Sequence, residues 1–226
     1  DLVQFAKFDI KDGFWRMVCQ HGQEWNFTYV LPNYPTKVAE IVVPSALQMG
    51  WVLSPPFFCA AAETAQDVTA SYVTEEVGTL PSHPLEHHTL PEVSLPATNT
   101  FSPTQATSFL HMVESYVDDF IQLVQTRNLD VMRHCSRAIL HAVHSVFPLL
   151  HITGHNGQDP ISIKKLMEGD RLWNLRKEVL GWVINGSTRC IELAQKKQDF
   201  ILKELKTVTR MKGVQFKRFE KLNGKT

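Results

Sequence analysis

Asp9 ends an alternating run, residues 2 to 10, that reads as a β-strand. Asp118 and Asp119 stand between two apolar runs, 113–117 and 120–124, that read as the arms of a tight hairpin. Neighbouring antiparallel strands would bring all three acids to one end of one sheet. Three carboxylates there repel one another unless a cation binds them. Two Mg²⁺ or Mn²⁺ ions, about 3.5 to 4 Å apart on such acids, are the device for in-line displacement at phosphorus: one activates an attacking 3′-oxygen, the other neutralises departing pyrophosphate. The chemistry would be nucleotidyl transfer. Surface turns often carry acids too, so the pair alone does not separate a catalytic site from a solvated turn.

The charge distribution bears on that choice. The 226 residues carry 23 basic and 23 acidic side chains, yet residues 1–126 hold 4 Lys/Arg against 14 Asp/Glu and residues 127–226 hold 19 against 9. Between Lys37 and Arg127 there is no Lys or Arg, while ten basic residues follow from Lys196 onward. An acid-rich half suits a divalent-metal site, and a basic tract suits a phosphate backbone, although it also suits an ordinary solvated helix face.

The elements that would position these residues run from strand to mixed. After the first strand, β-rich runs occur at 14–19, 25–31 and 40–43. Ser54 with Pro55 and Pro56 offers an N-cap and a first turn for an Ala-rich helix to about Tyr72. Residues 79–104 hold five of the twelve prolines among Ser, Thr and His, a composition expected to form a mobile loop. Asn128 caps a helix through about Phe147, closed by Pro148. Runs 179–184 and 188–193 flank an Asn185-Gly186 hairpin turn, and an amphipathic helix spans about Gln195 to Met211.

Three stretches now carry a resemblance. Phe8-Asp9-Ile10-Lys11-Asp12-Gly13-Phe14, Leu47-Gln48-Met49-Gly50-Trp51-Val52-Leu53-Ser54-Pro55 and Tyr116-Val117-Asp118-Asp119 look like the three palm motifs of reverse transcriptases, in matching order and spacing. Ile161-Ser162-Ile163-Lys164-Lys165 and Leu180-Gly181-Trp182 resemble the two palm motifs that follow. Phe219-Glu220-Lys221-Leu222-Asn223-Gly224-Lys225 is similar to a thumb stretch of long-terminal-repeat retrotransposon polymerases. The likeness covers nearly the whole chain except the Pro-rich stretch. It implies an α+β fold: a right-hand polymerase palm at 1–193, an antiparallel sheet backed by helices, and the start of a thumb at 194–226.

The resemblance also implies roles. Asp9, Asp118 and Asp119 would be the ligands of two Mg²⁺ or Mn²⁺ ions, with the Ile10 carbonyl a further candidate, and Lys164 or Lys165 would protonate departing pyrophosphate. Ile10, Gly13, Phe14, Met49, Gly50 and Tyr116 would line the nucleotide; Met49 stands where many members have Gln or Phe. Gly50, without a Cβ, would let the chain approach the nucleotide closely. Phe14 cannot hydrogen-bond a ribose 2′-OH and would collide with it, so deoxynucleotides are the expected substrate; the alternative is an aromatic filling the core. Leu180, Gly181 and Trp182 would hold the primer 3′ end, with Trp182 as sheet core the other reading. The basic helix from Lys196 would grip the duplex without sequence preference.

The expected partners are an RNA or DNA template, a primer duplex and dNTP, together with other polyprotein segments such as fingers and RNase H. The expected setting is intracellular, in cytoplasm, nucleus or a retroelement particle. No apolar run approaches the roughly 18 to 20 residues of a membrane span, and no secretory signal is visible. Cys19, Cys59, Cys135 and Cys190 lack metal or disulfide spacing and read as reduced core thiols; the ten histidines lack Cys or Asp partners at zinc spacing, and those expected on one helix, His134, His141 and His144, read as solvated. The match begins at the first palm motif, so a fragment without fingers is expected, a piece of a polyprotein or a decayed genomic copy. Two functions from different classes follow: an RNA-directed DNA polymerase palm, and a retroelement-derived nucleic-acid-binding protein that no longer catalyses. An RNA-synthesising polymerase is disfavoured by Phe14 and by Tyr116-Val117 before the paired acids. With only Lys7, Lys11, Arg16 and Lys37 as cations in the acidic half, weak, salt-dependent primer-template binding and little polymerisation are expected.

Overall fold

The computed structural model describes residues 2–31, 39–90, 109–147, 159–169 and 172–210, with residues 213, 216, 217 and 220. The expected helix stop at Pro148, residues 91–104 of the Pro-rich stretch, and all but Glu220 of the thumb-like stretch at 219–225 lie outside them. The fold is α+β, with antiparallel sheets and four α-helices among the described residues. The chain divides into two compact units after Asn174.

In the first unit, β1 (Val3–Asp9), β4 (His111–Tyr116) and β5 (Asp119–Gln125) form an antiparallel sheet in the order β1-β5-β4. A separate hairpin pairs β2 (Tyr29–Leu31) with β3 (Glu40–Val42). The central strand β5 alternates strictly, burying Phe120, Gln122 and Val124 and turning Asp119, Ile121 and Leu123 to the other face. Helix α1 (Ser54–Val73) buries Phe58, Ala62, Ala65, Thr69 and Val73, a spacing of three and four residues that makes one apolar stripe. Helix α2 (Leu129–Val146) is capped as expected, the Asn128 Oδ1 accepting from the Asp130 N–H at 2.8 Å, and its stripe of Val131, Cys135, Ala138, Ile139, Ala142 and Val143 packs on α1. Phe8, Phe58, Phe120 and Phe147 are wholly buried. Each contributes about 1.5–3 kcal/mol by leaving water.

Several local expectations change. Residues 13–16 and 24–27 are 3₁₀ turns rather than strands. Ser54 does not cap α1; its hydroxyl donates to the Gln48 carbonyl at 2.7 Å instead, and Leu53 holds the cap position. Residues 79–90, expected within the mobile loop, are packed: Leu80 and Thr89 are buried, and Glu86 accepts from the Arg137 guanidinium with both carboxylate oxygens, one at 2.8 Å. The Thr89 carbonyl accepts from the Trp173 N–H, and the Trp173 indole donates to Ser136 on α2. Composition missed these few apolar and ionic anchors. His134 is buried rather than solvated, and His141 and His144 are hydrogen-bonded. Of the four thiols only Cys135 is fully buried, with its pKa pushed up to about 12 by that burial; Cys190 is exposed.

The second unit holds β6 (Arg176–Val179), β7 (Trp182–Asn185), β8 (Cys190–Leu193) and helix α4 (Gln195–Val208). The strand expected over 179–184 is split by a two-residue turn at Leu180-Gly181, both at positive φ (51° and 80°). Asn185 begins a longer loop, its Oδ1 accepting from the Ser187 and Thr188 N–H groups. Among the described residues no helix is long and apolar enough to cross a membrane.

Candidate active site

The sheet register assembles the acids. Asp9 stands directly opposite Asp119 across β1 and β5, and Tyr116 stands opposite Asp119 across β5 and β4. Directly paired residues share a face, so Lys7, Asp9, Asp119 and Tyr116 lie on the side of the sheet opposite Phe8 and Phe120. The two-residue turn between the arms places Val117 at φ 54°. A β-branched residue there is strained by on the order of 1–3 kcal/mol, a cost tolerated where the flanking strands dictate the turn. Asp118 projects exposed from that turn while its carbonyl accepts from the Ile10 N–H at 2.8 Å.

A second layer of backbone bonds fixes the end of β1. The Ser162 N–H donates to the Asp9 carbonyl at 2.9 Å and the Lys11 N–H to the Pro160 carbonyl at 2.8 Å, so Ile10 pairs with Ile161. Ser162 holds the N-cap position of the short helix α3 (Ile163–Met167), and its backbone bond to Asp9 holds that helix against β1. The helix phase then decides between its two lysines: the Lys165 ammonium contacts the Asp9 carboxylate, whereas Lys164 is exposed. From the other side Lys7 Nζ reaches Asp119 Oδ2 at 3.2 Å.

The electrostatics follow from this crowding. Burial raises the Asp9 carboxyl above its ordinary pKa; Lys165 opposes that shift, and the neighbouring Asp118 and Asp119 reinforce it. The hydrogen bond to Asp9 raises the Lys165 ammonium, with Asp119 and Asp118 acting the same way. One oxygen of the cluster stays unsatisfied: Asp119 Oδ1 is buried with no hydrogen-bond partner. A buried carboxylate oxygen without a donor is fitted to a cation, and Asp9 and Asp118 flank it with hard oxygen ligands suited to Mg²⁺ or Mn²⁺. Among the described residues no group of three or more His, Cys, Asp or Glu side chains stands ready to hold a metal. Lys165 and Lys7 occupy carboxylate oxygens that ions would need.

Gly13 and Phe14 rest on the core. A Cβ on Gly13 would meet the Phe58 ring at 2.6 and 2.7 Å, and the Phe14 ring lies 5.1 Å from that of Phe58. Phe14 is therefore partly a packing residue, with half-buried surface remaining. Met49 is exposed and Gly50 takes φ 94°, a conformation that favours glycine; their stretch is anchored by the Leu47 N–H to Met17 and by Ser54 to Gln48, rather than to the acids. Trp51 lies in an aromatic cluster with Phe27 at 4.9 Å and Phe57 at 5.9 Å.

Arg16 is a residue that sequence reasoning counted only as a cation. It is buried, donating from Nε to the Lys11 carbonyl at 2.7 Å and from a terminal nitrogen to the Asp159 carbonyl at 2.6 Å, so it ties the turn after Asp9 to the segment that precedes α3. No sequence signal marks a buried arginine.

In the second unit, the Leu180-Gly181 turn is pinned by the Ala194 N–H donating to the Gly181 carbonyl at 3.1 Å and by Lys197 Nζ donating to the Leu180 carbonyl at 3.5 Å. Leu180 and Trp182 are both exposed, so Trp182 is not sheet core. Helix α4 buries no residue and exposes Lys196, Lys203 and Lys206, with Arg210 exposed just beyond its end.

No protein-family model matches the chain, and no curated protein matches it.

Proposed function

We propose that the chain is the palm of an RNA-directed DNA polymerase of retroelement type, transferring a nucleotide from dNTP to a primer 3′-OH. The observation that carries this reading is the placement of Asp9 opposite Asp119, beside Asp118, with Asp119 Oδ1 buried and without a partner. Two Mg²⁺ or Mn²⁺ ions bound by Asp9, Asp118 and Asp119 would supply activation of the 3′-oxygen and neutralisation of pyrophosphate. The sheet holds the carboxylates in register before any ligand arrives, which lowers the reorganisation needed during reaction. Lys165, rather than Lys164, is the proton donor to pyrophosphate, since it is the one held at the acids. Phe14, packed against Phe58, excludes a 2′-hydroxyl. Leu180, Gly181 and Trp182 present exposed apolar surface for the primer end, and α4 offers cations to the duplex backbone. The setting is cytoplasm, nucleus or a retroelement particle.

A second reading, a nucleic-acid-binding protein without catalysis, draws on the ion pairs from Lys165 and Lys7, which offset two of the three acids without a metal. Titration with Mn²⁺ followed by electron paramagnetic resonance, paired with dNTP incorporation on a primer-template, separates the two. The polymerase reading expects a Mn²⁺ site weakened about tenfold or more by Asp119→Asn and slow incorporation that Asp118→Asn abolishes. Mn²⁺ binding indifferent to both substitutions would sink it.

A further inference from the structure

We propose that His83, His144 and Asp159 form a proton-operated latch that fastens the turn at residues 83–85 to α2 at neutral pH and loosens it on acidification. The geometry is a continuous chain of hydrogen bonds. The Leu85 N–H meets His83 Nδ1 at 3.1 Å, His83 Nε2 meets His144 Nδ1 at 2.7 Å, and His144 Nε2 meets Asp159 Oδ1 at 3.1 Å. The two imidazoles also stack, with centroids 4.8 Å apart.

The ends of the chain fix every proton in it. A backbone N–H can only donate, so His83 Nδ1 is an acceptor and its proton sits on Nε2. That proton points at His144 Nδ1, which must accept, leaving the His144 proton on Nε2, aimed at Asp159. The carboxylate there accepts from the Ile161 N–H as well, at 2.8 Å. Burial alone would raise Asp159, but the hydrogen bonds from His144 and Ile161 hold it below its ordinary value, so it remains an acceptor. Each ring in this arrangement carries a single proton, and no further proton fits without breaking a hydrogen bond. On His83 Nδ1 a proton would face the Leu85 N–H; on His144 Nδ1 it would face the His83 Nε2–H. Either ring is therefore protonated only by breaking the chain.

The same tautomers exclude a metal between the rings, because His83 Nε2 carries its proton and has no lone pair to give. The surroundings set the sign of the response. His83 faces His144 and His141 from α2, Asp159 from the segment before α3, and Glu86 from its own segment, with Arg137 on Glu86 and Arg16 near Asp159. Burial first, then His144 and His141, lower His83 to about 4 from an ordinary 6.5, outweighing Asp159 and Glu86. Closure is therefore fully favoured above about pH 6.5 and lost progressively as pH falls towards 4. His144 and Asp159 are each about a quarter exposed, which gives protons a route in.

The inference is independent of the polymerase reading. It is tested by amide hydrogen exchange of the full chain at pH 7 and pH 5, with protection factors corrected for intrinsic rates. Leu85 should lose about twentyfold in protection, the ratio set by an imidazole at 6.5 when open and about 4 when closed, while amides of β5 keep theirs. In His83→Gln the Leu85 value should not change between the two pH values. Unchanged protection in the wild type, an equal loss in β5, or the same loss in His83→Gln overturns the latch. If His83→Gln does not fold, the imidazole ¹⁵N shifts of the wild type decide: a His83 ring protonated on Nε2 alone at pH 7 supports it, and one protonated on Nδ1 overturns it.

Discussion

Asp9 and Asp119 are register partners across β1 and β5, each with a lysine at its carboxylate: Lys165 on Asp9, and Lys7 on Asp119 at 3.2 Å. Two of the three acids are thus paired by the chain itself, and a metal that draws on Asp9 Oδ1 or Asp119 Oδ2 must displace an ammonium. The half-exposed Lys165 pair is worth about 1 kcal/mol, which is about fivefold in a binding constant. Lys165→Met should raise Mn²⁺ affinity about fivefold while slowing nucleotide incorporation, and Asp9→Asn should lower it about tenfold. Paramagnetic resonance titrations measure the first quantities and primer extension the last. Equal Mn²⁺ affinity in wild type and Lys165→Met would show that the lysine does not compete.

Gly13 has no room for a side chain. Its Cβ would fall 2.6 Å from an atom of the Phe58 ring, which is wholly buried and cannot swing aside. Overpacking of this kind costs about 1–3 kcal/mol. Gly13→Ala should lower the urea midpoint accordingly, and Phe58→Leu in the same chain should recover part of the loss. Additive losses in the double variant would place the clash elsewhere.

Glu86 and Arg137 hold the 79–90 segment from a position where both side chains are mostly buried, 14% and 18% exposed. Removing one partner leaves the other charge poorly solvated, so Arg137→Ala should destabilise by about 2–3 kcal/mol. The hydrogen bond from Arg137 lowers the Glu86 carboxyl, against its burial. A lowered folded-state pKa contributes stability that is complete above the ordinary 4.5 and is lost as pH falls through the folded value. Urea midpoints at pH 7 and pH 4 should therefore differ less in Arg137→Ala than in the wild type.

Leu180 adopts φ 51° at the first position of a turn whose second residue, Gly181, is at 80°. A non-glycine residue there is strained, and asparagine tolerates the conformation better than leucine. Leu180→Asn should stabilise the β6-β7 hairpin by about 0.5–1 kcal/mol, read as slower exchange of the hairpin amides. Faster exchange would mean that the leucine side chain contributes more than the turn costs.

The acids were legible in the sequence because their placement rests on local rules. A two-residue strand period and a two-residue turn between apolar runs put Asp9 and Asp119 at strand ends, and the observed register joins them. The Asn128 cap and the stripes of α1 and α2 were readable on the same grounds. The choice of Lys165 over Lys164 was not, since adjacent helix residues differ by about 100° and the phase of α3 is set by the Ser162 and Pro160 backbone bonds to the end of β1. Residues 79–90 were misread because a proline count does not see that Leu80, Glu86 and Thr89 find partners on α2 and at Trp173. Likewise the sequence at 180–181 carries half a turn signal, a glycine in second place, and the surrounding strands force the leucine into the other half. What the sequence by itself determined is the set of short-range periods, caps and turns, because those depend on neighbours along the chain. Which lysine meets Asp9, where Arg16 anchors and how His83 finds His144 were decided by tertiary structure alone, because each joins residues remote in sequence through contacts that exist only once the sheet and helices have packed.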